Sequence, residues 1–409
     1  MSADADALLG ELLLTPEGRR DPYPRYRRIQ EVAPVHRSSL GFWVLSRYED
    51  CQQLLRDPRF GKGDRRDRDA RLPEAAVAAL ARLRSRAPSL LFLDPPDHTR
   101  LRGLVSKAFT PRTVERLRPH IGRLLDELLD TIDGGGDEPV DVMGAVAFPL
   151  PVTVIGEMLG VPPADRASFQ PWVRASTALL ELTVDAEAVV AAAEASDKMS
   201  DYFLGLLAER RRHPGEDLLS ELLRVVEEGD RLTEAELVST AILLFGAGFE
   251  TTTNLIGNGL LALLRHPDQL ALLRADHRLL RPAVEEILRW DSPVQVDGRV
   301  ALGDADLVGE PVEEGTFVVT LLGAANRDPA RFGAPDCFDV ARDEGPPLSF
   351  GSGIHYCLGQ ALARVEGQVV FGRLLERYAA MELAADEVAY RPSLTLRGLV
   401  DLPVALTPA

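Results

Sequence analysis

Cysteine is scarce: Cys51, Cys337 and Cys357 are the only three in 409 residues. So few and so scattered a set excludes a disulfide scaffold and points to a reducing cytoplasm. Positive charge is in deficit, with 46 Lys and Arg against 63 Asp and Glu, a net charge of −17. That balance argues against a nucleic-acid partner, whose phosphates need a basic surface. The one basic run, Arg210-Arg211-Arg212-His213, precedes Pro214 and suits a solvated helix end. The first fourteen residues carry Asp4, Asp6 and Glu11 around a short Leu cluster, without a basic leader or a run long enough to span a bilayer. Neither a signal peptide nor a membrane anchor is expected. No Ser/Gly-rich linker or internal repeat divides residues 1–409, so a single domain is expected although the length alone would allow two or three. No Gly-x-Gly-x-x-Gly loop follows a strand, which excludes a fused nucleotide-binding reductase.

What remains is an ordinary globular composition, 45% hydrophobic and 27% charged, dominated by helical signals. The punctuation predicts helices over Val114–Ile132, closing at Gly134-Gly135-Gly136, over Asp197–Arg212 and over Thr233–Arg265, closing at His266-Pro267. The last would be about 50 Å long, enough to cross a domain. Another should begin after Pro282 and end near Ser292-Pro293. Strand signals are short: Pro34–His36 and Phe42–Leu45 flank Gly41, and Thr316–Leu321 follows much later. A mainly α fold results, a large helical body with a small β-rich lobe.

Near the C-terminus stands Phe350-Gly351-Ser352-Gly353-Ile354-His355-Tyr356-Cys357-Leu358-Gly359. A lone cysteine is most often a small buried hydrophobe. Here it is presented by a glycine-bent loop at the mouth of a helix, where the dipole and unpaired N–H groups favour a thiolate. Gly351 and Gly353 permit positive φ or close approach to a flat ligand, and Gly359 permits close packing after the cysteine.

A second polar signal interrupts the long apolar helix at Ala247-Gly248-Phe249-Glu250-Thr251-Thr252. Gly248 costs about 1 kcal/mol relative to Ala in a helix, and threonines bend helices by bonding back to the preceding turn. A kink or a close helix contact would account for it, and so would chemistry. A third, Glu286-Ile287-Leu288-Arg289, places opposite charges one turn apart, a pair worth only about 0.3–0.5 kcal/mol if exposed. A fourth, Asp94-Pro95-Pro96-Asp97-His98-Thr99-Arg100-Leu101-Arg102, opens a helix with His and Arg one turn apart.

Together these segments resemble the cytochrome P-450 family of haem-thiolate monooxygenases, over nearly the whole chain and in the family's order. The resemblance implies the P-450 fold, haem b, and Cys357 as the proximal iron ligand in the loop with Phe350, Gly351, His355 and Gly359. It gives the haem propionates to His355, His98, Arg102 and Arg299, the last in Val296-Asp297-Gly298-Arg299, and arginine's fork suits a carboxylate. Ala247 and Gly248 would make room above the haem for dioxygen. Thr251 and Glu250 would form the acid–alcohol pair that delivers protons during dioxygen reduction. Glu286, Arg289 and Arg342 would be a structural triad.

The resemblance also places Leu90, Leu91, Leu243, Gly246, Ala247, Val294, Gln295 and Leu396 around a largely apolar substrate. A hydrophobic natural product, polyketide, terpenoid, steroid or fatty acid, would be hydroxylated or epoxidised, with electrons from NAD(P)H through a ferredoxin or flavodoxin and its reductase. The expected monomer would meet an acidic donor through Arg100, Lys107, Arg112 and Arg364. A peroxide-driven peroxygenase has less need of Glu250 and Thr251, and a non-catalytic haem protein has little use for a proton relay.

Overall fold

The computed structural model describes residues 2–63, 73–134, 138–227 and 232–409. They gather into two compact units, each assembled from separated stretches of chain. The first comprises Met1–Phe60, Pro111–Leu150 and Thr251–Ala409, the second Gly61–Thr110 and Pro151–Glu250. The helices that position the site are α1 (Glu74–Arg84), α2 (Asp97–Val105), α3 (Arg118–Asp133), α4 (Phe169–Thr177), α5 (Ala186–Arg212), α6 (Glu234–Arg265), α7 (Leu280–Trp290) and α8 (Gln360–Arg377). The boundary between units falls inside α6, between Glu250 and Thr251.

In the first unit α8 packs on α3 and α7. Beside them runs a small sheet containing β1 (Val35–Arg37), β2 (Trp43–Leu45), β3 (Val296–Ala301) and β4 (Phe317–Leu321), ordered β1-β2-β4-β3. The β1–β2 hairpin turns at Gly41, whose φ of 92° needs glycine. β2 pairs with β4 in parallel, Val44 opposite Val319. That pairing joins strands far apart in the chain, and the short strand signals do not reveal it. Leu45, Cys51, Leu54, Leu55, Val318, Leu322, Phe332 and Leu348 form the core beneath the sheet.

In the second unit α5 packs on α4 and α1. Its contacts with α1 use small residues, Ala76 and Ala79 against Val189 and Ala193, and its contacts with α4 are aromatic, with the rings of Phe169 and Tyr202 edge to face at 4.9 Å.

Not every helix starts where the sequence suggests. The expected Val114–Ile132 helix is broken, with a short helix Pro111–Glu115 followed by α3, which starts at Arg118 with Pro119 in its first turn. α5 starts at Ala186, well before Asp197, because Asp185 caps it by accepting from Ala188 N–H at 2.7 Å. Its alanine-rich beginning has little apolar periodicity to read. α6 begins where expected. Thr233 Oγ1 accepts from Glu236 N–H at 3.2 Å and Glu236 Oε2 accepts from Thr233 N–H at 2.8 Å, a capping box. Among the described residues no helix is long and apolar enough to cross a membrane.

Candidate active site

The Cys357 loop is built by backbone geometry that only glycine adopts easily. Gly351 has φ 69° and Gly353 φ 71°. At Gly353 there is a second reason, since an added Cβ would run into the Leu55 carbonyl oxygen. The loop closes with Cys357 N–H donating to Phe350 O at 2.9 Å. Two residues later Gly359 caps α8. Cys51, by contrast, is buried, and burial first, then Asp50 and Asp328, pushes its thiol well up. Cys337 is exposed but has no such helix start behind it. Cys357 alone combines access with the positive end of a long helix, the setting that favours a thiolate.

The same unit supplies Arg299 on β3, 2% exposed, with Nη1 donating to Asp297 Oδ2 at 2.7 Å and to Gly298 O at 2.9 Å. His355 lies on the loop itself, partly exposed. The second unit holds His98 and Arg102 one turn apart on α2. Burial and the neighbouring Arg102 lower the His98 pKa, while Asp94 opposes. At neutral pH His98 is therefore an N–H donor more than a charge, and Arg102 carries the charge.

Asp94, which sequence reasoning passed over, fixes the entry to α2. Its carboxylate accepts from Lys62 N–H at 3.0 Å and Gly63 N–H at 3.3 Å, and its carbonyl accepts from His98 N–H at 3.0 Å. Another omission is Glu236, which caps α6 and takes Arg100 Nη2 at 2.6 Å. Arg100 chiefly, with its burial opposing, holds that carboxyl below the usual range.

α6 is buried along most of its length, but Leu243, Ala247 and Thr251 remain accessible at four-residue spacing and so share one stripe. Glu250 is 3% exposed. Gly248 is needed because a Cβ there would lie 2.7 Å from Ile155 Cγ1. Gly246 is buried and turned toward Val173 of α4, whose Cγ2 would lie 3.3 Å from an added Cβ. On this side it packs helix against helix.

Gln295 is fully buried, with Nε2 donating to Ser292 O at 2.8 Å and to Tyr23 OH at 3.2 Å inside the first unit, while its Oε1 has no hydrogen-bond partner among the described residues. Alternation already hints at this, because neighbours Val294 and Gln295 point to opposite sides of an extended segment. Val294 and Leu396 face one another across an isolated bridge. Leu90 is buried and Leu91 partly so, in a short turn that Ser89 caps.

Glu286 and Arg289 form a buried bidentate pair, joined by Arg342, whose Nε lies 3.1 Å from Glu286 Oε2. Arg289 also donates to the carbonyls of Asn326, Pro335 and Cys337, tying α7 to the meander after Ala325. The exposed surface pair that the spacing alone allows is thus a core hub.

On α8, Glu366 is 1% exposed, hydrogen-bonded to Thr252, and its Oε2 has no hydrogen-bond partner among the described residues. Burial, opposed by the Thr252 bond, raises its pKa to about 8, which keeps it a neutral acid at neutral pH. Nothing in its local sequence marks it.

Comparison with known proteins follows the same lines. The family model described as Cytochrome P450 matches residues 62–394. Cytochrome P450 107B1 of Saccharopolyspora erythraea is 46% identical over 396 residues, covering 94% of this chain and 95% of that protein. Cytochrome P450 monooxygenase PikC of Streptomyces venezuelae is 43% identical, covering 94% and 91%. Among solved structures, P450BioI in complex with hexadec-9Z-enoic acid ligated acyl carrier protein superposes with a TM-score of 0.86 at 39% identity, covering 95% of this chain and 100% of that one.

Proposed function

The chain belongs to the cytochrome P450 family and is a haem-dependent monooxygenase, and on that premise we propose that it inserts one atom of dioxygen into a hydrophobic natural product, by hydroxylation or epoxidation. The other oxygen atom leaves as water. The observation that carries the reading is the Cys357 loop, a single accessible cysteine set by two positive-φ glycines at the start of an 18-residue helix.

The residues suit haem b. A Cβ built at Gly351 or Gly359 meets no protein atom within 4 Å, which leaves both ends of the loop open to a flat partner of the thiol. The donor set is one thiolate for iron with His355, Arg299, His98 and Arg102 for two carboxylates. Among the described residues no three His, Cys, Asp or Glu side chains group as a metal site, so the remaining iron ligands would belong to the macrocycle. When bound, haem supplies reductive activation of dioxygen, and the thiolate of Cys357 tunes it.

The chain's own residues then have distinct tasks. Ala247, with no side chain beyond Cβ, leaves space on the accessible stripe of α6, and Gly248 lets α6 seat against Ile155. Thr251 holds the proton network with its hydroxyl, and Glu250 passes protons to it. Leu90, Leu91, Leu243, Val294 and Leu396 present apolar surface to substrate. Glu286, Arg289 and Arg342 hold the fold.

Electrons come from NAD(P)H through a ferredoxin or flavodoxin and its reductase. Of the four cations expected to meet that donor, Arg100 is paired with Asp97 and Glu236, and Arg364 with Glu285. Exposed Arg112 and Arg116, in the same unit as the exposed apolar side chains Ile354 and Tyr356, suit an acidic partner better.

The deciding experiment reduces the purified protein under carbon monoxide and records its visible spectrum. A strongly red-shifted Soret band supports thiolate ligation by Cys357 and should vanish in Cys357→His. A band typical of histidine or neutral thiol ligation in the unsubstituted protein would remove the oxygenase mechanism.

A further inference from the structure

Val294 and Leu396 touch through a single isolated bridge, not through named strands. So short a pairing does not hold itself in register. What flanks it is a buried ion pair, Asp291 just after α7 and Arg397 next to Leu396. Arg397 Nε donates to Asp291 Oδ1 at 2.6 Å, and the two residues are 5% and 6% exposed.

Every other group on the pair is also committed. Arg397 Nη1 and Nη2 donate to the carbonyls of Arg19 and Arg20, each at 2.9 Å. Asp291 Oδ1 accepts from Tyr23 OH at 2.6 Å and Oδ2 from Tyr390 OH at 3.3 Å. The guanidinium lies over the Tyr390 ring, 3.8 Å from its centroid. Asn258 Nδ2 on α6 spans the two backbones, donating to Asp291 O at 3.2 Å and Arg397 O at 3.1 Å. Between the segments, Arg397 N–H donates to Pro293 O at 2.8 Å and Gln295 N–H to Thr395 O at 3.0 Å.

A well-packed apolar pair of similar volume often stabilises a core as well as a buried ion pair does. What an apolar pair lacks is direction. The carboxylate and the guanidinium each accept only a few geometries, so together they fix how far the 395–397 segment slides along the 292–296 segment.

We propose that Asp291 and Arg397 are specificity-determining positioning residues of the oxygenase, which set the substrate-facing placement of Val294 and Leu396 without touching substrate. This rests on the reading of those two residues as substrate wall.

The test uses two azole probes of different bulk, clotrimazole and imidazole, titrated spectroscopically into the haem-loaded enzyme. In Asp291→Leu/Arg397→Met, the ratio of the two affinities should change by about tenfold, the scale on which a small misfit in an apolar wall discriminates ligands. Melting temperature and the carbon monoxide spectrum should stay near those of the unsubstituted enzyme. Hydrogen exchange should accelerate at the Gln295 and Arg397 amides. Should the double variant not fold, Arg397→Lys, which keeps the charge and loses the fork, must shift the ratio in the same direction by a smaller factor. An unchanged ratio, or equal loss for both probes alongside a lower melting temperature, overturns the proposal in favour of a structural role. Val294→Ala and Leu396→Ala separate the two levels. If they leave the ratio alone, the wall reading has failed; if they move it and the ion-pair variants do not, the positioning proposal has failed alone.

Discussion

Arg289 grips Glu286 with two parallel hydrogen bonds, Nε to Oε2 at 2.6 Å and Nη2 to Oε1 at 2.7 Å, with 2% and 0% of the two side chains exposed. Removing one partner strands the other charge out of water. Arg289→Ala should therefore cost about 3–5 kcal/mol of stability, far above the value of an exposed pair one turn apart. Urea unfolding of the haem-loaded enzyme measures it. A loss below about 1 kcal/mol would show that water reaches the pair.

Glu366 predicts a pH dependence of definite sign. Its folded pKa of about 8 lies above the ordinary 4.5, so the folded chain keeps a proton that the unfolded chain has released. Where the folded state binds more protons, stability falls as pH rises. The contribution is thus fully present below about pH 4.5 and is lost progressively up to about pH 8, a change on the order of 4–5 kcal/mol. Glu366→Gln, which stays neutral, should flatten that part of the curve. Urea midpoints at pH 5, 6, 7 and 8 would run parallel in the two proteins if Glu366 were ionised in the fold.

Thr251→Ala should uncouple the reaction. Without the hydroxyl, protons reach reduced oxygen less selectively, and product formed per NAD(P)H should fall about tenfold or more while hydrogen peroxide accumulates. The ratio of peroxide to NAD(P)H consumed reads this directly. Full coupling in the variant would take the relay away from Thr251.

Charge reversal at Arg112 should act on association. Arg112→Glu is expected to slow the second-order reduction by an acidic ferredoxin about tenfold at low salt, with the gap closing as salt is added. Stopped-flow reduction at two ionic strengths tests it. Arg100→Glu serves as the contrast, since its effect should come through stability and persist at high salt.

What was legible in the chain was local. The Cys357 loop, the Ala247–Thr252 insert and the Glu286–Arg289 pair each sit within ten residues, and their glycines, hydroxyls and charges have few other uses at those spacings. Glu366 and the Asp291–Arg397 pair were not legible, because their meaning depends on burial and on partners as distant as Tyr23. Gly246 shows the limit from the other side. Its neighbours Leu243 and Ala247 lie on the accessible stripe of α6, but its own side turns to Val173, and only the helix phase separates them. The parallel β2–β4 pairing was hidden for a similar reason, since each strand is too short to announce its partner.

The carboxylate of Glu236 serves two elements at once, closing the first turn of α6 and holding Arg100 of α2. Two positions far apart in the chain are thereby coupled. A chimera that takes α2 from one parent and α6 from another breaks this coupling unless both parents carry the same pair, even where every residue near Cys357 is matched. Recombination libraries should accordingly take α2 and α6 from one parent, and a saturation library at position 236 will report on α2 as much as on the helix that contains it.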